Sequence, residues 1–265
     1  MGITKTEGFR ALDEPRPSPP EEMTPVGRVV RALLEPLRKY HDHRVVGLEH
    51  VPQQGPVMVA TNHSLATYDG FMLAVAIYEH TGRVPVALAD DLFFRLPVLR
   101  EWAQALGMLP ASPENGEQLL RDGRLLYLAP GGMREALRPR EERYRVKWMH
   151  RKGFARLALR VGAPVVLAAC PASDDLFTVY SNSLTDLAYD YFKVPLPVFR
   201  GVGPLPLPRR VPLVHYLGAP VVPPDYDPER EENQVEAFHG VLVDRMAELM
   251  RRHDTCTSSS STSQI

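Results

Sequence analysis

The chain has 265 residues, with 31 Lys+Arg against 32 Asp+Glu and a formal net charge of −1. That length fits one domain, at most two. A hydrophobic share of 44 % excludes whole-chain disorder, and the near-neutral balance excludes a generic nucleic-acid binder.

Two cysteines are present, Cys170 in an apolar run and Cys256 in a Ser/Thr tail, so neither a disulfide framework nor a Cys-based zinc site assembles, and a reducing compartment follows. No run reaches the roughly 18 consecutive apolar residues of a membrane-spanning helix. The polar, proline-rich start is unlike a signal peptide.

Residues 1–24, with Pro15, Pro17, Pro19 and Pro20 among acids, and residues 255–265, almost all Ser and Thr, read as disordered ends. Residues 25–43 carry Val26, Val29, Val30, Leu33, Leu34 and Leu37 at amphipathic helical spacing, with Pro36 near the end and Arg28, Arg31, Arg38 and Lys39 elsewhere on the helix. Two readings follow: a helix packed on its own domain, or an interfacial helix with its apolar face in lipid.

Residues 44–254 form the body. Strands are predicted over 57–61, 84–88, 125–129 and 165–169, with helices over 70–78, 98–106 and 152–161, the last closed by Gly162. A short helix opens at Ser112-Pro113 and closes at Gly123, with Ser112 read as its N-cap. A strand over 213–217 and a helix over 230–252 complete the chain, whereas residues 175–210, rich in proline, read only as irregular. Alternation of strand and helix predicts a single α/β domain, a mixed sheet with helices on both sides.

Two strand-end loops carry candidate chemistry. Ala60-Thr-Asn-His-Ser-Leu-Ala-Thr-Tyr-Asp-Gly70 places Asn62, His63 and Asp69 between an apolar strand and an apolar helix. An imidazole held by a carboxylate is fixed in one tautomer and becomes a general base for an alcohol proton, although a loop hydrogen bond alone also explains such a pair. No Gly-x-Ser-x-Gly elbow supplies a serine nucleophile. The second loop, Leu128-Ala-Pro-Gly-Gly-Met-Arg-Glu-Ala-Leu137, offers Gly131 and Gly132 for close backbone approach and Arg134 as a forked cation, and lacks the Gly-Lys-Ser/Thr of a Walker loop. Residues 134–160 hold ten Lys/Arg against three Glu, a basic block that is either a solvated face or a phosphate site. His41 and His43 lack a third ligand nearby, so no metal site is read there.

Together the two loops resemble the glycerolipid acyltransferase family. Its members carry Asn-His-(four residues)-Asp and, some seventy residues on, Phe-Pro-Glu-Gly-Thr-Arg. Here five residues separate His63 from Asp69, and Pro130-Gly131-Gly132-Met133-Arg134 stands for the second motif with Gly131 in place of Glu. Val46-Gly-Leu-Glu-His-Val-Pro52, Lys152-Gly153 and Ala163-Pro-Val-Val166 extend the likeness over roughly residues 44–220. Both departures are similar to the branch with alternative triacylglycerol synthase, phytyl ester synthases and type-2 diacylglycerol acyltransferases. The resemblance implies acyl transfer from acyl-CoA or acyl carrier protein to the hydroxyl of a glycerolipid or other lipid alcohol. It implies His63 as general base, Asp69 as its orienting acid, and Asn62, Gly131, Gly132, Arg134, Glu135 and Lys152 as substrate-binding residues. No cofactor or metal is implied, and the expected location is cytoplasmic, peripheral on a membrane surface. Acylation of lysophosphatidate, or lipid binding without catalysis, are the alternatives.

Overall fold

A computed structural model describes residues 22–180 and 197–252; the expected disordered ends, apart from residues 22–24, and residues 181–196 of the irregular cover lie outside them. Thr24 caps the first helix, α1 (Pro25–Tyr40): its Oγ1 accepts from Gly27 N–H at 3.0 Å and donates to Ala105 O at 2.8 Å. The strands are β1 (Arg44–Val46), β2 (Val57–Thr61), β3 (Val86–Ala89), β4 (Leu109–Pro110), β5 (Leu125–Leu128), β6 (Val165–Ala169), β7 (Thr178–Tyr180), β8 (Val198–Arg200) and β9 (Val214–Leu217). The remaining helices of four residues or more are α2 (Tyr68–Thr81), α3 (Asp91–Arg95), α4 (Pro97–Ala105), α5 (Pro113–Arg121), α6 (Gly132–Ala136), α7 (Gly153–Val161) and α8 (Glu231–Met250), with short 3-10 turns at Leu48–His50, Arg140–Glu142, Pro171–Asp175 and Pro228–Arg230.

Seven strands build one mixed sheet in the order β1-β9-β6-β2-β5-β3-β4. All neighbours pair parallel except β6 and β9, which are antiparallel. β2 and β6 are buried along their whole length because helices cover both faces. Strand alternation sends Met58 and Ala60 to one face, where they meet Leu126 and Leu167 beneath α5, α7 and α8. Val57 and Val59 face the other way, onto Leu73 and Ile77 of α2. A third cluster joins Leu34 of α1, Met72 and Val75 of α2, Cys170, Leu176 and Leu213.

Caps set the helix ends as their chemistry requires. Ser112 Oγ accepts from Asn115 N–H at 3.2 Å at the head of α5, and Gly162, at φ +69°, ends α7 in the left-handed region that L side chains avoid. The antiparallel pair β7 and β8 stands where the sequence read only as irregular, and α3 falls in a stretch with no periodicity of its own. The fold class is therefore the expected one: a single α/β domain with a mixed sheet flanked by helices.

Topology fixes where a ligand crevice opens. β2 connects past β5 to β3 and β5 connects past β2 to β6, so the two crossovers run in opposite directions on opposite faces, and the loops at the carboxyl ends of β2 and β5 lie side by side. Register makes the two loops level: Ala60 pairs with Leu128, and His63 and Gly131 each lie three residues further on.

Candidate active site

The backbone of His63 is held at both of its polar groups by residues from the second loop. Glu135 Oε2 accepts from His63 N–H at 3.0 Å, and Arg138 Nη2 donates to His63 O at 2.9 Å. The other Glu135 oxygen accepts from Lys147 N–H at 3.0 Å. Arg138 also donates to Glu135 O and Arg145 O, and pairs with Asp174 at 3.1 Å and Glu135 at 3.6 Å. The three charged side chains are buried, so the single cation and two carboxylates are paired in low dielectric. Burial pushes Glu135 and Asp174 upward, and the Arg138 charge opposes that in both.

The His63 ring is half-buried. Burial holds its pKa down to about 4, aided by the Arg138 charge and opposed by a backbone hydrogen bond at Ser64. The imidazole is thus neutral near pH 7, the form that accepts a proton.

Asp69 sits in the first turn of α2, with its carboxylate buried. It takes Ser64 Oγ–H at 2.8 Å, and it is this hydroxyl, not the His63 ring, that the carboxylate binds. The direct pair expected from the sequence is therefore replaced by a contact through the residue next to His63. The fifth intervening residue and Thr67, at φ +59°, form the turn that brings Ser64 over Asp69. Burial raises the Asp69 pKa to about 6, with Ser64 and the backbone at Asp69 and Gly70 opposing. Tyr127 O–H donates to Gly70 O at 3.3 Å and fixes this turn against β5.

Several residues expected to touch substrate are committed to the framework. Asn62 is buried, with Oδ1 accepting from Cys170 N–H at 2.8 Å and Nδ2 donating to Cys170 O and Ser173 Oγ at 3.3 Å, so it ties the ends of β2 and β6 together. Glu135 is fully buried and holds the His63 peptide, which corrects its assignment as a substrate contact. Gly131 is glycine because a Cβ there would lie 2.2 Å from Glu135 Oε2. Gly132 takes φ +54° and gives its N–H to Ala129 O at 3.0 Å, so that N–H is spent in the turn. Lys152 is ion-paired with Glu236 of α8, and Arg156 and Arg160 pair with Glu231, with Arg156 also reaching Glu232; much of the basic block thereby seats α7 on α8. Arg134 remains on the exposed surface of α6.

Sequence reasoning missed Ser64, Arg138 and Asp174. Ser64 lay inside the motif without a role, Arg138 was one of ten similar charges, and Asp174 is 36 positions beyond Arg138 with no pattern to link them. His41 and His43 have separate partners: His41 Nδ1 donates to Val211 O at 2.9 Å and Nε2 accepts from Tyr68 O–H at 2.8 Å, whereas His43 Nε2 meets His215 Nδ1 at 3.0 Å. Asp69, Cys170 and His215 bring one ligand-type atom each within 4.8 Å of one another. Burial drives the Cys170 thiol up and the His215 imidazole down, which favours the uncharged form of both; metal ligation would need the thiol deprotonated.

Comparison with known proteins follows the same lines. The human "DGAT1/2-independent enzyme synthesizing storage lipids" is 29 % identical over 208 residues, 75 % of this chain and 61 % of that protein. An uncharacterized protein of Mycobacterium bovis is 31 % identical over 233 residues, 84 % of this chain and 64 % of its own length. The chain thus spans about three fifths of the length of these relatives. The solved 1-acyl-sn-glycerophosphate acyltransferase of Thermotoga maritima is similar at TM-score 0.48 and 15 % identity, over 84 % of this chain and 82 % of that one. The model of the diacylglycerol acyltransferase family matches residues 64–265, a span that takes in Ser64, Asp69 and the whole Glu135–Arg138 anchor, and the chain belongs to that family.

Proposed function

We propose that the protein is an O-acyltransferase that moves a fatty acyl group from a thioester, acyl-CoA or acyl carrier protein, to the hydroxyl of a glycerolipid or another lipid alcohol. The observation that carries this reading is the neutral, half-buried His63, clamped at N–H and C=O, at the carboxyl ends of β2 and β5. His63 takes the acceptor's hydroxyl proton as the oxygen bonds to the acyl carbonyl carbon. The carbon–sulfur bond then breaks, and the thiolate recovers the proton from the imidazolium, leaving an ester and a thiol. Asp69, reached through Ser64, supplies negative charge near the imidazolium while it exists. Neither a metal nor a resident cofactor enters these steps.

The reading includes a membrane surface as the source of acceptor. α1 and α4 expose Val29, Leu33, Val98 and Trp102 to solvent, and the Thr24–Ala105 bond joins the two helices. No described helix is long and apolar enough to cross a membrane, so the attachment in this reading is peripheral. The basic groups of α1 are largely paired with Glu35 and Glu79, which leaves apolar insertion as the main attraction.

The test is acyl transfer in vesicles with labelled acyl-CoA offered to monoacylglycerol, diacylglycerol, a long-chain alcohol and lysophosphatidate, each beside a His63→Ala control. Product on a neutral acceptor that vanishes in the variant is expected. A folded His63→Ala protein that transfers as fast as the parent overturns the reading, and product on lysophosphatidate alone replaces the neutral acceptor with a phosphorylated one.

A further inference from the structure

We propose that Arg140, Arg143, Arg200 and Arg209 form an anion subsite that receives a phosphate group at the mouth of the His63 crevice. The residues come from two distant stretches of the chain and converge on the antiparallel pair β7 and β8. Arg140 and Arg200 place their guanidinium carbons 5.9 and 6.0 Å from the same ring, that of Tyr180. Arg143 and Arg209 both donate to one hydroxyl oxygen, Thr178 Oγ1, at 3.3 and 2.7 Å. Arg143 further reaches Phe177 O and Asp175, and Arg209 reaches Asp175 O and, at 3.4 Å, Arg200 O, so these two are fixed in place while Arg140 and Arg200 are exposed.

Charge is not balanced within the cluster. Asp175 pairs with Arg143 and Glu141 with Arg140, but among the described residues neither Arg200 nor Arg209 has a carboxylate within ion-pair range. Holding four guanidinium groups this close costs Coulomb energy, and burial together with the Arg143 and Arg200 charges depresses the Arg209 pKa. An anion relieves that cost: the exposed guanidinium groups of Arg140 and Arg200 can meet a phosphate's oxygens in pairs, while Arg143 and Arg209, held by the protein, add fixed positive charge.

The cluster borders the candidate active site. Arg143 and Arg138 line one narrow cavity with Leu65, Ser173 and Phe177, and Arg138 is the residue that holds His63 O. Asp174 lines the same cavity, which therefore joins the cluster to the buried Glu135–Arg138–Asp174 set that holds His63. Two sources share this chemistry: the phosphates of a coenzyme A thioester and the phosphate of a lipid headgroup. The first rests on the acyl-transfer reading, whereas the subsite itself does not.

The experiment uses the full chain and two exposed substitutions, Arg140→Gln and Arg200→Gln, singly and together, with thermal melting to verify the fold. Calorimetric titration with coenzyme A and sedimentation with phosphatidylcholine vesicles, with and without phosphatidate, are compared at low and physiological salt. The double variant is expected to bind at least tenfold more weakly and with a shallower salt dependence, and Arg200→Lys to recover part of the loss. Loss toward coenzyme A alone assigns the subsite to the donor, and loss toward phosphatidate alone assigns it to a headgroup. Binding unchanged in both arms overturns the proposal. His63→Ala keeps the binding if the subsite is real, so a failure of acyl transfer and a failure of the subsite give different results.

Discussion

Glu135 Oε2 lies 3.0 Å from the backbone nitrogen of His63, a residue 72 positions earlier in the chain. Its other oxygen is taken by Lys147 N–H, and its charge is met by Arg138. A glutamate in the second motif loop thereby sets where the first loop's histidine stands.

Glu135→Gln is expected to break this arrangement rather than mimic it. An amide has one acceptor oxygen, so either His63 N–H or Lys147 N–H must face an NH₂ group, and Arg138 keeps Asp174 but loses the second of its two carboxylates. Breaking a buried ion pair costs about 3–5 kcal/mol. Urea denaturation should report a loss of that order. Arg138→Met should cost a similar amount by leaving Glu135 and Asp174 unpaired. In protein that remains folded, kcat should fall well before KM, because the clamp acts on the base and not on the acceptor.

Gly131→Ala tests the same clamp from the other side. The new Cβ would stand 2.2 Å from Glu135 Oε2, an oxygen that cannot move without releasing His63. A cost of about 2–3 kcal/mol and a loss of transfer are expected. Gly132→Ala meets only the tip of Arg151, which can swing away, but pays for φ +54°. Its cost should be about 1–2 kcal/mol with activity largely kept. Equal effects at the two glycines, measured by denaturation and initial rate, would contradict the clamp.

The titrations of His63 and Asp69 oppose each other. The folded His63 ring has a pKa of about 4 against 6.5 as a free side chain, so the unfolded chain binds the extra proton and stability falls as pH drops from 6.5 toward 4. Asp69 is raised from 3.8 to about 6, so the folded chain keeps a proton that the unfolded one has lost, and its contribution falls as pH rises through that window. Between pH 4 and 6 the two should nearly cancel. Asp69→Asn removes one side of the balance, and chemical denaturation of that variant should show stability falling by up to about 2–3 kcal/mol from pH 6 to 4 beyond any change in the parent. In kinetics, the parent's kcat/KM should rise with pH through an inflection near 6 as Asp69 ionises, and the variant should lack that inflection.

Much of this architecture was legible in the sequence. β2, β5 and β6 were readable because both faces are covered and their residues are continuously apolar, and α5 and α7 because Ser112 and Gly162 mark their ends. β7 and β8 were not, since three residues each cannot establish a period, and β4, with two, cannot either. In the site, His63 and Asp69 were legible from motif and position, but their separation by Ser64 was not. Spacing says which residues share a loop, and the turn at Thr67 decides which oxygen meets which hydrogen. Asn62 and Glu135 both bond the protein's own backbone, which the sequence could not show, because a polar side chain next to a motif gives no sign of whether it faces a ligand or that backbone.

Ser64→Ala isolates the link between the two motif residues. The substitution removes a hydroxyl from a buried carboxylate that otherwise relies on backbone donors at the head of α2. With that donor gone, the charged form of Asp69 is less favoured, so its pKa must move upward from about 6. Loss of a hydrogen bond to a charged group is worth about 1.5–3 kcal/mol, which corresponds to roughly one to two pH units. The kcat/KM inflection assigned to Asp69 should therefore shift upward by that interval, with the rate at high pH recovering toward the parent's. Were Asp69 to act directly on the His63 ring, the hydroxyl would be dispensable and the inflection would stay near 6. A pH–rate profile of Ser64→Ala beside Asp69→Asn separates the two cases, because only the bridged arrangement moves the inflection in one variant and abolishes it in the other.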